Sequence, residues 1–269
     1  MTSDFPAIGT VHCITLEGSD ARRFAQAQFS GNVAALRPGH WQWNACLDAR
    51  GRVLALMHLV APGEDRLLAV LRGGDAEILR ASLARYVFRL RVTIAIESFS
   101  AHRGEPLPAG TARQENGVIV LGYGTRSLRL GTFSESASPD PDALRRWRLD
   151  DIRRGWPSLP GGDPAFLPPA LGLEGLGAVA FDKGCYPGQE IVARLHYRGG
   201  HKWHLCRLRG PAPLPVGEVR EAAGSTLAWV LDNVPAGDCF EALAVLRAEV
   251  TSQISLLGNV YAVESTFDA

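Results

Sequence analysis

Residues 182–199, DKGCYPGQEIVARLHYRG, place a lysine, a cysteine and three glycines beside a Gln-Glu pair. Gly184 and Gly188 free the backbone around Cys185 to turn and to approach a ligand closely. Pro187 interrupts strand hydrogen bonding. A helix starting near Gly188 puts the Cys185 thiol just ahead of its N-terminus, where free N–H groups and the macrodipole favour a thiolate; Lys183 adds a positive charge. Glu190 and Arg194 fall four residues apart, as do Arg194 and Arg198, with Ile191 and Leu195 on the apolar face. Such a pair on a solvated helix stabilises by about 0.3–0.5 kcal/mol. Spacing alone leaves the stretch open between a reactive loop and a plain helix-start turn.

The other groups able to do chemistry are fewer. His196, His201 and His204 follow the loop, with Cys206 close behind. A strand there sends His201 and His204 to opposite faces, which disfavours convergent metal ligands, and no metal site is expected. The five cysteines (13, 46, 185, 206, 239) are scattered without a CxxC, against a disulfide framework. Cys13 and Cys46 sit among apolar neighbours and read as buried fillers. Among the aromatic residues, Trp156 and Tyr186 lie near loops where they can stack on a ligand ring.

The elements that position these groups read as α+β. Residues 8–18 form a strand. Ser19 or Asp20 then caps a helix over 21–29 with Phe24, Ala25 and Gln28 on one face. Residues 41–63 form two strands joined by a turn at Asp48–Gly51, and 66–72 a further strand. Asp75 caps an amphipathic helix with Ile78, Leu79, Leu83 and Val87 apolar, and a strand follows to about Ile96. This order is not the alternation of a parallel sheet. A polar break covers 101–115, a β segment 117–133, a loop 135–143 and a charged helix 144–156, ending near Gly155. A Pro/Gly-rich stretch spans 157–169. Residues 203–264 read as short strands with turns at 211–217 and 233–238. The expected organisation is two interleaved α+β halves, about 1–100 and 101–200, with a C-terminal β module from 201 to 269.

With 269 residues, 46% hydrophobic, 21% charged and a formal net charge of zero, the chain has material for a core and no overall basic field for phosphate backbones. Direct nucleic-acid binding is not expected. Arginine makes up 26 of the 28 basic residues, and the two lysines, Lys183 and Lys202, both flank the loop. No apolar run reaches the roughly 20 residues of a membrane span, and the N-terminal residues lack the pattern of a signal peptide. The expectation is a cytoplasmic monomer.

The loop resembles the signature of the YgfZ family, folate-binding relatives of the glycine-cleavage T-protein: K-G-C-[FY]-x-G-Q-E, an apolar pair, then A-R. It stands complete from Lys183 through Gly184, Cys185, Gly188, Gln189 and Glu190 to Arg194. The downstream R-G-x-x-K is present as Arg198, Gly199 and Lys202, although Trp203 stands where many members have a basic residue. Similar segments are D-I-R-x-G-W-P (Asp151–Pro157), F-x-P (Phe166–Pro168) and F-x-Q-x-Q (Phe24, Gln26, Gln28). The resemblance implies a multi-domain, T-protein-like ring ending in a small β-barrel module, with tetrahydrofolate or a one-carbon derivative in its central hole. It also implies work in iron–sulphur protein maintenance, including tRNA-thiolating enzymes, with iron–sulphur client proteins as partners. Cys185 is then the candidate reactive residue. Gln28, Asp48, Arg153, Trp156, Tyr186, Gln189, Glu190 and Arg194 are the candidate folate-binding residues.

Two departures bear on activity. T-proteins carry paired acids on the strand after the Asp48–Gly51 turn; here those positions are Ala55 and Leu56, which cannot move a proton. The T-protein's folate-binding glutamate falls at Arg153. Asp48 is either a compensating carboxylate or an Asx-type turn residue. The alternatives to a folate-binding accessory protein are a folate-dependent aminomethyltransferase or other one-carbon transferase, and a non-catalytic scaffold.

Overall fold

A computed structural model describes residues 5–132, 138–160, 166–221, 224–247 and 251–267. It is a mixed α+β structure built on two curled antiparallel sheets. The first contains β1 (Ala7–Glu17), β2 (His40–Leu47), β3 (Val53–Ala61), β4 (Arg66–Leu71), β5 (Thr93–Gly104), β6 (Ala112–Glu115), β7 (Val118–Gly122) and β8 (Ser127–Gly131). Its order is β2-β3-β4-β1-β5-β8-β7-β6. The second contains β9 (Trp203–Gly210), β10 (Gly217–Arg220), β11 (Thr226–Ala236), β12 (Cys239–Arg247), β13 (Gln253–Leu256) and β14 (Asn259–Thr266), in the order β10-β11-β12-β9-β14-β13.

The central strands of the first sheet are covered on both faces, and side-chain alternation divides them between two cores. Ile14, Leu16, Leu67 and Ala69 face helices α1 (Ala21–Gln28) and α2 (Ala76–Ala84). Cys13, Leu68 and Val70 face the opposite core, which also takes in residues of α3 (Pro141–Arg153) and of the second sheet. Helix α3 starts at Asp140, whose carboxylate accepts from the amides of Asp142 and Ala143, and Pro141 occupies its first turn. The chain leaves it through Gly155 at φ +64°. Helix α4 (Gln189–Arg198) follows the Cys185 loop.

Cys13 and Cys46 are buried, and the face of α1 buries Phe24, Ala25 and Gln28 as expected. Several local expectations need correction. Asp20 does not cap α1 with its side chain; its carboxylate instead accepts from the Arg91 amide at 2.8 Å. Helix α2 stops at Ala84, and Ile78, expected on its apolar face, is exposed; the helix packs on β5 and β1 and buries Leu79 and Leu83. Strand β5 runs on to Gly104 instead of ending near Ile96, since Ser100–Gly104 pair with β8. Residues 135–137 and 161–165 of the two expected loops lie outside the described residues. Among the described residues, no helix is long and apolar enough to cross a membrane.

Candidate functional site

A cavity of about 550 Å³ lies where β1, the end of β4, helix α3 and the second sheet come together. Its walls are largely apolar, with polar groups from Thr10, His58, Arg72, Tyr123, Arg148, Asp151 and Asp232. That volume and mixture suit a drug-sized aromatic ligand. Arg148 makes a two-pronged pair with Asp232, tying α3 to β11 at the cavity wall.

Asp151 organises one side. Its Oδ2 lies 3.1 Å from Arg72 Nη2, and its Oδ1 pairs with Arg126 Nη2. Arg72 also donates to the carbonyls of Pro157 (3.1 Å) and Trp156 (3.2 Å), fixing the chain that leaves α3. Arg126 is almost fully buried, donates to the Trp147 carbonyl at 2.7 Å and lies 3.7 Å from that ring's centroid. Its Nε is 3.0 Å from Asp150 Oδ2, an ion contact whose angle makes no hydrogen bond. Arg154 Nε also lies 3.0 Å from Asp150 Oδ2, so three guanidinium groups share two carboxylates, and pairing of this kind is what lets charge be tolerated inside a protein.

Beside them is an aromatic cluster centred on His58. The imidazole lies 4.4 Å from Trp41, 4.2 Å from Trp43, 5.2 Å from Tyr123 and 5.9 Å from Trp156, centroid to centroid. His58 is 1% exposed. Burial, and then the charges of Arg72 and Arg126, push its pKa well below the ordinary value, so the ring is neutral. Its Nδ1 is 2.7 Å from the Tyr123 hydroxyl. A phenol is the stronger donor, so the hydroxyl donates and the histidine proton sits on Nε2. That Nε2 has no partner among the described residues.

The Cys185 loop is a second, separate construction. The thiol is exposed. Lys183 reaches back to α1's end, donating to the carbonyls of Phe29 (2.6 Å) and Gly31 (2.9 Å); between them, Ser30 receives the Ala180 amide and donates to Ala178. Burial lowers the Lys183 pKa to about 8. Its two carbonyl contacts dock the loop against the end of α1. Tyr186 is buried under the ammonium, 5.0 Å from Nζ to the ring centroid. Burial, with Glu174 adding, pushes the Tyr186 phenol up to about 12, and its hydroxyl has no partner among the described residues.

Gly188 is the glycine this loop requires. It caps α4 at φ +78°, and a Cβ there would lie 2.5 Å from the Asp48 carbonyl oxygen and 2.6 Å from Gly51 Cα. Gly184 has neither a positive φ nor a close neighbour. The loop thus seats on the β2–β3 turn, where Asp48 Oδ1 accepts from the amides of Arg50 and Arg52 at 2.8 Å each. Asp48 is an Asx-turn residue.

Of the candidate residues, Trp156 alone lines the cavity; Asp48, Lys183, Tyr186 and Gly188 gather around the loop, and Gln28 is buried at the end of α1. Gln189 donates its amide to the Tyr186 carbonyl at 3.2 Å. Glu190, Arg194, Arg198 and Lys202 are exposed, and Glu190 and Arg194 form no pair among the described residues. Arg153 points to the second sheet, with Nη2 2.6 Å from Glu241 Oε1. Burial works to raise the Glu241 carboxyl, and hydrogen bonds from Arg153 and Arg207 outweigh it, holding the group below its ordinary value. His196 contacts Glu174 at 2.9 Å and stacks on Phe181. His201 precedes β9, so strand alternation does not separate it from His204; their rings lie 5.0 Å apart. Among the described residues, no group of three or more His, Cys, Asp or Glu side chains is placed to hold a metal ion.

Sequence reasoning missed His58, Arg72, Tyr123 and Arg126. The available signal was a lone histidine in the apolar run VLALMHLVA, and an arginine between the β7 and β8 segments.

No family model matches the chain. It is similar to the tRNA-modifying protein YgfZ of Cronobacter sakazakii (strain ATCC BAA-894), 27% identical over 254 residues, spanning 80% of this chain and 77% of that one. The YgfZ of Escherichia coli O157:H7 (strain EC4115 / EHEC) is likewise 27% identical, spanning 80% and 78%. An uncharacterised protein of Haemophilus influenzae is 26% identical over 207 residues, spanning 74% and 71%. Among solved structures, the glycine cleavage system aminomethyltransferase T from Bartonella henselae superposes with a TM-score of 0.70 at 16% identity, covering 97% of this chain and 86% of that one. The resemblance carried by the Lys183–Arg194 signature thus extends over most of the chain, on a T-protein-like fold.

Proposed function

We propose that this chain, similar in sequence to tRNA-modifying YgfZ proteins and in fold to a T-protein, is a tetrahydrofolate-binding accessory protein. It supports the assembly or repair of iron–sulphur enzymes, among them enzymes that modify tRNA, and Cys185 is its reactive thiol. The observation that carries the reading is the cavity of about 550 Å³ with the buried, unpartnered His58 Nε2 in its aromatic wall. A buried donor without an acceptor costs about 1–3 kcal/mol, and a ligand carbonyl or ring nitrogen would satisfy it. The residues fit a pterin: Trp156 and Tyr123 offer ring faces, while Asp151 and Arg72 offer an acceptor and a donor for its amide edge. When bound, tetrahydrofolate supplies N5 as a carrier of one-carbon units. The chain's own contribution is binding and exclusion of water, with Cys185 presented on a separate, docked loop.

Aminomethyl transfer is the less favoured reading, because Ala55 and Leu56 are fully buried and carry no titratable group. Calorimetric titration of the full-length protein with tetrahydrofolate tests the proposal. Saturable one-site binding is expected, and its absence overturns the folate reading.

A further inference from the structure

A second crevice, of about 370 Å³, opens at the other end of α4 from the Cys185 loop. It lies between the segment before the Pro168–Leu171 turn, the Gly200–Lys202 connection and the second sheet. Phe166, Trp203 and Trp229 give it three aromatic walls, and Leu195 of α4 closes the apolar lining. Phe166 and Trp229 meet edge to face, with centroids 5.9 Å apart at 84°, leaving a slot whose sides hold ring faces and edges.

Two nitrogen-bearing side chains, His201 and Lys202, belong to the crevice lining. His201 Nε2 is buried without a partner among the described residues, and Lys202 is exposed. On the adjoining wall, the Glu174 carboxylate is already engaged by His196 at 2.9 Å. An aromatic slot with an ammonium at its edge and an unsatisfied imidazole nitrogen selects a ligand that is flat, aromatic and negatively charged. A volume near 370 Å³ holds one ring or a fused pair with a short acidic arm.

We propose that this crevice is a binding site for a small aromatic anion, a carboxylate or a phosphate ester, held by Trp203 and Trp229 with Lys202 on the charge. It is distinct from the central cavity and independent of the folate reading, since the two share no lining residue.

Titration of the full-length protein with indole-3-acetate and with adenosine 5′-monophosphate, each beside its uncharged counterpart indole or adenosine, tests this by ligand-observed NMR or calorimetry. At least one anion should bind one site about tenfold more tightly than its counterpart, as a contact with an ammonium implies. The acid that shows this preference identifies the source as carboxylate or phosphate. Lys202→Ala, at an exposed position, should erase the difference without changing the fold. Trp229→Phe should weaken both members of the pair, and Trp156→Ala in the central cavity should leave them unchanged. Equal binding of charged and neutral probes, indifference to Lys202→Ala, or loss of binding in Trp156→Ala would overturn the assignment.

Discussion

Arg72 and Asp151 meet at 3.1 Å across the wall of the central cavity, joining the end of β4 to the last turn of α3. Both side chains are nearly buried, and Arg126 holds the other carboxylate oxygen. Removing the shared acid strands two guanidinium groups in a poorly solvated site. Asp151→Ala should therefore lower stability by about 3–5 kcal/mol, read as a fall in the urea midpoint. Stability within about 0.5 kcal/mol of the parent protein would show that the network is solvated.

The seating of the Cys185 loop makes a glycine-specific prediction. Gly188→Ala adds left-handed strain of about 1–2 kcal/mol and a Cβ 2.5 Å from the Asp48 oxygen. Gly177→Ala adds comparable strain, at φ +66°, in open space. Thermal unfolding should show Gly188→Ala as the more damaging of the two, and Gly184→Ala as nearly silent. Equal losses for Gly188→Ala and Gly177→Ala would mean that the loop does not rest on the β2–β3 turn.

Lys183 holds the same loop from the other side. Lys183→Met removes donors to two backbone carbonyls and should speed amide exchange over residues 182–188 while accelerating alkylation of Cys185. Unchanged exchange would refute the docking role.

His58 gives the protein an acid-sensitive term. Its folded pKa is depressed, so between that value and about 6.5 the unfolded chain binds the extra proton. Stability is then greatest above about pH 6.5 and falls as pH drops below it, by up to about 1.4 kcal/mol per unit. Denaturant titrations at pH 7, 6 and 5 should show this slope, and His58→Leu should flatten it. An identical slope in the variant would place the sensitivity elsewhere.

Local sequence made much of the scaffold legible. The apolar pattern of 8–18 and 41–72 located β1 to β4 because burial on both faces leaves near-continuous hydrophobic runs, and the Asp48–Gly51 turn followed from its residue types. The Cys185 loop was legible as a motif, but glycine's backbone freedom pointed equally to Gly184 and Gly188, and only Gly188 has the positive φ and the close neighbours that require it. What local pattern cannot carry is convergence. His58, Arg72, Arg126 and Asp151 come from four separate segments and meet only through the sheet order and the packing of α3 against it. Arg153 is adjacent to the cavity residue Ile152, yet on a helix of 3.6 residues per turn the next side chain faces elsewhere, here Glu241. His201 illustrates the same limit: the strand that would have separated it from His204 begins two residues later.

The ligand cavity at Trp156 and His58 shares no lining residue with the Lys183–Gly188 loop that carries the thiol, and one side-by-side titration tests that separation. Tetrahydrofolate should bind the parent protein and Cys185→Ala with equal affinity, while Trp156→Ala should bind it about tenfold more weakly, the loss expected for one aromatic contact. Equal binding to Trp156→Ala, or loss of binding in Cys185→Ala, would contradict it.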